Sequence, residues 1–306
     1  MSKIILIIIF LIIIAFFIAI FVIGWHFSNI ILHPRVSKYN YTYNYEIEKG
    51  NIQIDKFSKL EKQEIYIDSI YDYKIHGFFF PNNHAKKVII LCHGITWSLY
   101  GSVKYMDMFL KRGFAVLIYD HRNHGLSGGK DTSFGYYEKF DLKKCTDWLY
   151  NNLGKGIIVG LHGESMGAGT ALQNIEIDTR IKFCIDDCGY SDAEDLFIHR
   201  LAKDYNIKKI FLIKLASRIC KMRAGWSFKD VSPITSLPKV SIPILFIHGE
   251  KDDYVPIFMC KQMYSVKNGY KDIYIAQGAG HAQSYSQNSN EYEKRVHSFL
   301  KDINII

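Results

Sequence analysis

The sequence predicts an α/β fold built on a mainly parallel sheet and preceded by one membrane-spanning helix, and three observations carry that expectation. Short apolar runs at 88–91, 115–119, 157–161, 183–186, 244–247 and 273–275 read as strands. Helix-length stretches at 103–111, 137–150, 168–175 and 291–301 alternate with them, a rhythm that sets parallel strands side by side with helices on both faces. Ahead of all of these, residues 4–23 contain only Ile, Leu, Phe, Ala and Val.

As a helix that first run reaches about 30 Å, the thickness of one bilayer core. It is longer than the apolar centre of a signal peptide. The residues after it, Gly24, Trp25, His26 and Phe27, offer no small-x-small cleavage site, so residues 1–25 are expected to form an uncleaved anchor. Lys3 on one side competes with Arg35 and Lys38 on the other, and large domains cross a membrane largely regardless of charge. A single-pass chain with an extracytoplasmic catalytic domain is the expectation. Residues 26–62 are polar and rich in Tyr and Asn, and read as a tether with little packed core.

The remaining residues, 63–306, read as one domain. It opens with an antiparallel hairpin, 64–68 and 75–80, in which polar and apolar residues alternate about a turn at 71–74. Between 187 and 240 the rhythm breaks. Only amphipathic stretches around 194–205 and 209–222 occupy this interval, and a strandless insertion of that length predicts a small helical cap at about 190–238.

The chain has 306 residues, 48% of them hydrophobic, enough for a large core. Its net charge of +8 is spread along the whole length without a basic stripe, which argues against nucleic acid and leaves a solvated surface or anionic headgroups as the use for it. Six scattered cysteines predict no disulfide scaffold. Cys92 and Cys184 lie in strand-like runs and read as buried thiols, while Cys184 and Cys188 lack the company of a zinc site. No metal and no cofactor is expected.

The strand at 157–161 runs into Gly163-Glu164-Ser165-Met166-Gly167. Small residues two before and two after a serine let a strand turn sharply into a helix, which exposes the hydroxyl and points the helix amino terminus at developing negative charge. The motif alone is weak; the strand before it and the helix after it make it specific. A serine nucleophile needs a base, and the base needs a carboxylate to fix its tautomer. Asp252 follows the strand at 244–247 and His281 the strand at 273–275, in the order Ser, acid, His.

Four segments then resemble the α/β-hydrolase family. His248-Gly249-Glu250-Lys251-Asp252-Asp253-Tyr254-Val255-Pro256 resembles its H-G-x-x-D-x-x-V-P acid loop, a frame that selects Asp252 over Asp253. Gly278-Ala279-Gly280-His281 resembles its histidine loop, Leu91-Cys92-His93-Gly94 its oxyanion turn, and the block from Asp120 to Ser127 its D-x-R-x-H-G-x-S turn. The resemblance runs from about residue 64 to the end and is closest to the serine-aminopeptidase-like and lipase/esterase-like branch, which includes membrane-anchored bacterial members.

That resemblance implies the α/β-hydrolase fold and an oxyanion hole made by the backbone N–H groups of Ile95 and Met166. It implies a Ser165-Asp252-His281 triad in which water finally cleaves an acyl-enzyme. A small-molecule carboxylic ester or acyl lipid is the expected substrate, with Leu196, Phe197, Ile198, Phe211, Leu212 and Leu215 as candidate liners of an acyl pocket. A serine peptidase, which would use cap carboxylates such as Asp192, Glu194 or Asp195 to hold an amine, a thioesterase, and a non-catalytic binding protein are the alternatives. His93, His121, His124, His162 and His248 fall in turns and elbow-flanking places and are expected to be structural.

Overall fold

The structure is a computed structural model that describes residues 2–82 and 85–306. Helix α1 (Ser2–Leu32) is unbroken, and its stretch Lys3–Leu32 is long and apolar enough to cross a membrane. Residues 4–19 are exposed. Two further helices follow, α2 (Tyr39–Glu48) and α3 (Ile54–Phe57).

Here the structure departs from the polar tether. Tyr39, Tyr43 and Ile47 pack on the core together with the buried Ile52 and Phe57. The indole N–H of Trp97 donates to Glu46 at 2.8 Å, and the hydroxyls of Thr42 and Ser98 are 2.5 Å apart. The physical reason is spacing: positions 39, 43 and 47 recur every fourth residue, so their side chains share one helix face even though the composition around them is polar. Helix α1 likewise continues past residue 25 to Leu32, and Leu32 is buried.

The sheet begins with the hairpin β1 (Gln63–Asp68) and β2 (Lys74–Phe80). It continues with β3 (Lys87–Cys92), then α4 (Val103–Leu110), β4 (Phe114–Tyr119), α5 (Glu138–Leu153), β5 (Ile158–Glu164), α6 (Met166–Ile177) and β6 (Ile181–Asp187). The cap helices α7 (Ala193–Tyr205) and α8 (Ile210–Ala224) and the short α9 (Pro233–Ser236) come next. The chain then returns through β7 (Ile244–Gly249), α10 (Ile257–Val266), β8 (Lys271–Ala276), α11 (Ser284–Gln287) and α12 (Ser289–Asp302).

Eight strands form one sheet in the order β1-β2-β4-β3-β5-β6-β7-β8. β2 is antiparallel to β1 and β4, and every other pairing is parallel. All six residues of β4 are buried and sort by parity: Ala115, Leu117 and Tyr119 face the α5/α6 side, Phe114, Val116 and Ile118 the α4/α12 side. Truncating one of these residues, Leu117→Ala for instance, would cost about 2–5 kcal/mol.

The cap has its own buried cluster, which includes Leu196, Leu212, Trp226 and Phe228. Asp192 caps α7 by accepting from the amides of Glu194 and Asp195. α8 lies along the end of α1. A Cβ on Gly24 would come within 2.6 Å of Leu215 and 2.8 Å of Ile219, so glycine permits the approach. Further along, Arg223 donates to Ser28 Oγ at 2.8 Å and to Asn29 Oδ1 at 3.1 Å, and its guanidinium sits 4.1 Å from the Trp25 ring centre. Residues rising from 24 to 29 thus meet residues rising from 215 to 223, and the two helices run in the same direction.

Candidate active site

The parallel sheet delivers the ends of β3, β5, β7 and β8 to one edge. At the end of β5, Ser165 adopts φ 55° and ψ −115°, a strained conformation between strand and helix. Space explains how it is held: a Cβ on Gly163 would lie 2.4 Å from the backbone of Gly167, and one on Gly167 would lie 2.1 Å from the carbonyl oxygen of Cys92. The Ser165 amide donates to the Asp187 carbonyl at 2.8 Å.

Ser165 Oγ–H donates to His281 Nε2 at 2.8 Å, and His281 Nδ1–H donates to Asp252 Oδ2, also at 2.8 Å. A carboxylate can only accept, so Asp252 fixes the proton on Nδ1 and leaves the Nε2 lone pair toward the serine. The other Asp252 oxygen accepts from the amides of Tyr254 and Val255 at 3.0 and 2.9 Å, which locks the carboxylate plane. Asp253, one residue along, points away to an exposed pairing with Lys203. His248 Nε2–H donates to the Val255 carbonyl at 2.8 Å, and burial lowers its imidazole below the ordinary range, so it stays neutral beside Asp252.

The turn after β3 is held by histidines. His93 Nδ1–H donates to the Gly94 carbonyl and its Nε2 accepts from the His121 amide, at 2.7 and 3.0 Å. His124 Nδ1–H donates to the Arg122 carbonyl and its Nε2 accepts from the Thr96 amide, at 2.8 and 3.1 Å. Both rings must be neutral to accept, and burial pushes both down. All four of these ring nitrogens are therefore occupied by backbone groups. A Cβ on Gly94 would lie 3.6 Å from the Ser165 Cβ, so the turn carrying Ile95 passes directly over Ser165. Met166 opens α6, where an amide has no acceptor within the helix.

Sequence reasoning missed several neighbours. The Tyr254 ring stacks on His281, and Arg200 lies 4.0 Å above the same ring. The thiol of Cys188 lies against the acid–base pair, its sulfur and the Asp252 and His281 donor atoms all within 4.8 Å of one another; burial pushes that thiol well up, which keeps it uncharged. Behind the elbow, Lys104 pairs with Glu164 at 2.5 Å, and Tyr105 and Tyr292 donate to Asp187, whose carboxyl burial raises to about 7.

A cavity of about 390 Å³ opens beside Ile95 and Tyr254. Of the six apolar cap residues expected to line a pocket, Phe197 does so, joined by Leu201 and Ile213. The other five do not line it: Leu196 and Leu212 are buried inside the cap, Ile198 packs against that cap cluster, Phe211 is exposed, and Leu215 packs on Gly24. Helical phase decides this outcome and composition does not.

The architecture and this site define the α/β-hydrolase class. Residues 87–185 match the alpha/beta hydrolase fold family, and the chain belongs to it. It is 38% identical over 288 residues to the uncharacterized protein YqkD of Bacillus subtilis, with 94% of each chain covered. It is 23% identical over 240 residues to the mouse lysophosphatidylserine lipase ABHD12, covering 72% of this chain and 56% of that one. Among solved structures, the Pyrococcus furiosus esterase Pf2001 superposes with a TM-score of 0.69 at 24% identity, over 83% of this chain and 95% of that one. Est1E of Butyrivibrio proteoclasticus superposes with a TM-score of 0.65 at 17% identity, over 79% of this chain and all of that one.

Proposed function

We propose that this protein is a membrane-anchored serine hydrolase that cleaves carboxylic esters through an acyl-enzyme on Ser165. The observation that carries the reading is the continuous relay of two 2.8 Å hydrogen bonds from Ser165 through His281 to Asp252. In the first half-reaction Ser165 Oγ attacks the acyl carbonyl while His281 Nε2 takes its proton. The oxyanion lies between the amides of Ile95 and Met166, and the tetrahedral intermediate collapses as His281 returns the proton to the departing alcohol. In the second, His281 takes a proton from water, the resulting hydroxide attacks the acyl carbon, and Ser165 leaves with that proton. Asp252 stays a carboxylate and stabilises the imidazolium in both halves.

The pocket favours an ester over a free amine. The one carboxylate among its lining residues, Asp204, is paired with Arg200, which leaves none to hold an ammonium group. The Pyrococcus furiosus esterase and the mouse lysophosphatidylserine lipase among this chain's relatives support the same substrate class. Helix α1 serves as the anchor, and the catalytic domain lies outside the cytoplasm, which protease treatment of intact cells tests directly.

The mechanism is tested by fluorophosphonate labelling of the full-length chain in membranes. Ser165 should carry the adduct and Ser165→Ala should abolish it; labelling that persists in Ser165→Ala would overturn the assignment.

A further inference from the structure

We propose that the end of the membrane helix is itself a wall of the acyl pocket, so that the enzyme draws a long-chain ester sideways out of its own bilayer. This rests on the serine-hydrolase reading above. The cavity beside Ile95 and Tyr254 is closed on one side by Phe27 and Ile31 of α1 and on the other by Phe197 and Ile213 of the cap. Neither wall is loose. Gly24 lets α1 and α8 touch, and Arg223 fastens α8 to Ser28, Asn29 and Trp25, so the pocket keeps its shape only while anchor and cap stay together.

The height of the pocket points to the source of the substrate. Phe27 and Ile31 stand four and eight residues beyond Ile23, the last residue of the apolar run, which at about 1.5 Å per residue places them about 6 to 12 Å above it. Lipid headgroups occupy that layer, and the ester groups of an acyl lipid lie at its base. An acyl chain held between α1 and the cap would therefore bring its ester to Ser165 with little of the lipid lifted into water.

The cap reaches down on the same side. Because α8 runs with α1 and Leu215 meets Gly24, Phe211 lies one turn lower, about level with Ile20 inside the apolar run. Ile210 and Phe211 are 50% and 55% exposed there, and Ile20, beside them, is half-buried. Exposed apolar side chains at that depth are covered by lipid, and Lys214, about level with Ile23 at the top of the apolar run, suits an anionic headgroup layer. The occupant of the cavity is accordingly the acyl chain of a bilayer ester, entering between the two helices where both meet the membrane.

The test uses the full chain in phosphatidylcholine vesicles that contain dioleoylglycerol, with soluble p-nitrophenyl acetate as a second substrate and fluorophosphonate labelling to count active enzyme. Oleate release should require the diacylglycerol to be in the same vesicle as the enzyme; equal rates when it is supplied in separate vesicles would overturn lateral entry. Phe27→Ala and Ile31→Trp should lower the ratio of oleate to acetate release about tenfold, whereas Ile9→Ala, remote from the cavity, should leave that ratio unaltered. Ratios within twofold of the parent for both pocket variants, or an enzyme that labels but releases no oleate, would overturn the proposal. Absence of labelling in the parent would instead remove the serine-hydrolase reading beneath it.

Discussion

The ring of Tyr254 lies parallel to the imidazole of His281, centroids 4.8 Å apart and planes 29° from each other, with the Arg200 guanidinium on its opposite face. This stack holds the imidazole in addition to its hydrogen bond with Asp252. Tyr254→Ala should lower kcat on a short ester about tenfold with a smaller change in KM, because the base loses its orientation while the cavity stays open; Tyr254→Phe should restore the rate. A stack of this kind contributes about 0.5–1.5 kcal/mol, so the melting temperature should move little. A proportional loss in both variants would show that the hydroxyl matters and the stacking does not.

Ser165→Ala and His281→Ala should each remove nearly all ester hydrolysis, and the double variant should resemble either single one, since the two side chains act as one chemical unit. Asp252→Asn should leave more residual rate. Asp253→Asn should leave kcat nearly intact, because that side chain faces Lys203 at the surface. Comparable losses at 252 and 253 would mean that the wrong carboxylate has been assigned.

Glycine at 167 is demanded by a carbonyl 2.1 Å from where a Cβ would stand, whereas a Cβ at Gly156 would meet nothing within 4 Å. Gly167→Ala should therefore destabilise the protein by about 3 kcal/mol or more and abolish labelling of Ser165. Gly156→Ala should change stability by less than about 1 kcal/mol. Thermal unfolding of both variants in the same detergent provides the comparison.

Phe197 lines the cavity while Leu212 is buried within the cap. Phe197→Ala should shift the preference between short and long acyl esters. Leu212→Ala should cost about 2–5 kcal/mol of stability and leave the preference as it was. A shift in preference from Leu212→Ala alone would reverse the assignment of the two positions.

His121 is fully buried, neither ring nitrogen has a hydrogen-bond partner among the described residues, and burial lowers its imidazole from the ordinary 6.5 to about 3. Between those values the unfolded chain holds a proton that the folded protein refuses, so this residue makes stability fall as pH falls through that window. Relative to His121→Gln, the parent should lose about 1.4 kcal/mol per pH unit from 6.5 downward. Denaturation midpoints of the two proteins across that range should converge or cross; parallel curves would refute the assignment.

What could be read from the sequence was what neighbours in the chain determine. The apolar run of β4, the glycines around Ser165 and the order of Ser165, Asp252 and His281 are all local patterns, and strand ends of a parallel sheet converge wherever the loops between them are short. Phe27, Ile31 and Tyr254 carried no such signal. Each acquires its place from a partner far away in sequence: Phe27 and Ile31 from α8 and the cap, Tyr254 from the loop of His281. The helix at 39–48 was obscured differently, by polar neighbours that dilute an every-fourth-residue stripe until composition reads as tether.

The hydrogen bond from Arg223 to Ser28 joins residues 195 positions apart. During synthesis α1 is among the first segments to leave the ribosome, and the helix that completes its pocket is made only after most of the chain has followed. Until then Gly24 and Ser28 wait for a partner not yet translated. If the cavity is the acyl pocket proposed above, assembly order acts as a safeguard: a pocket walled by α1 and by a helix made much later cannot take substrate before the chain is nearly whole.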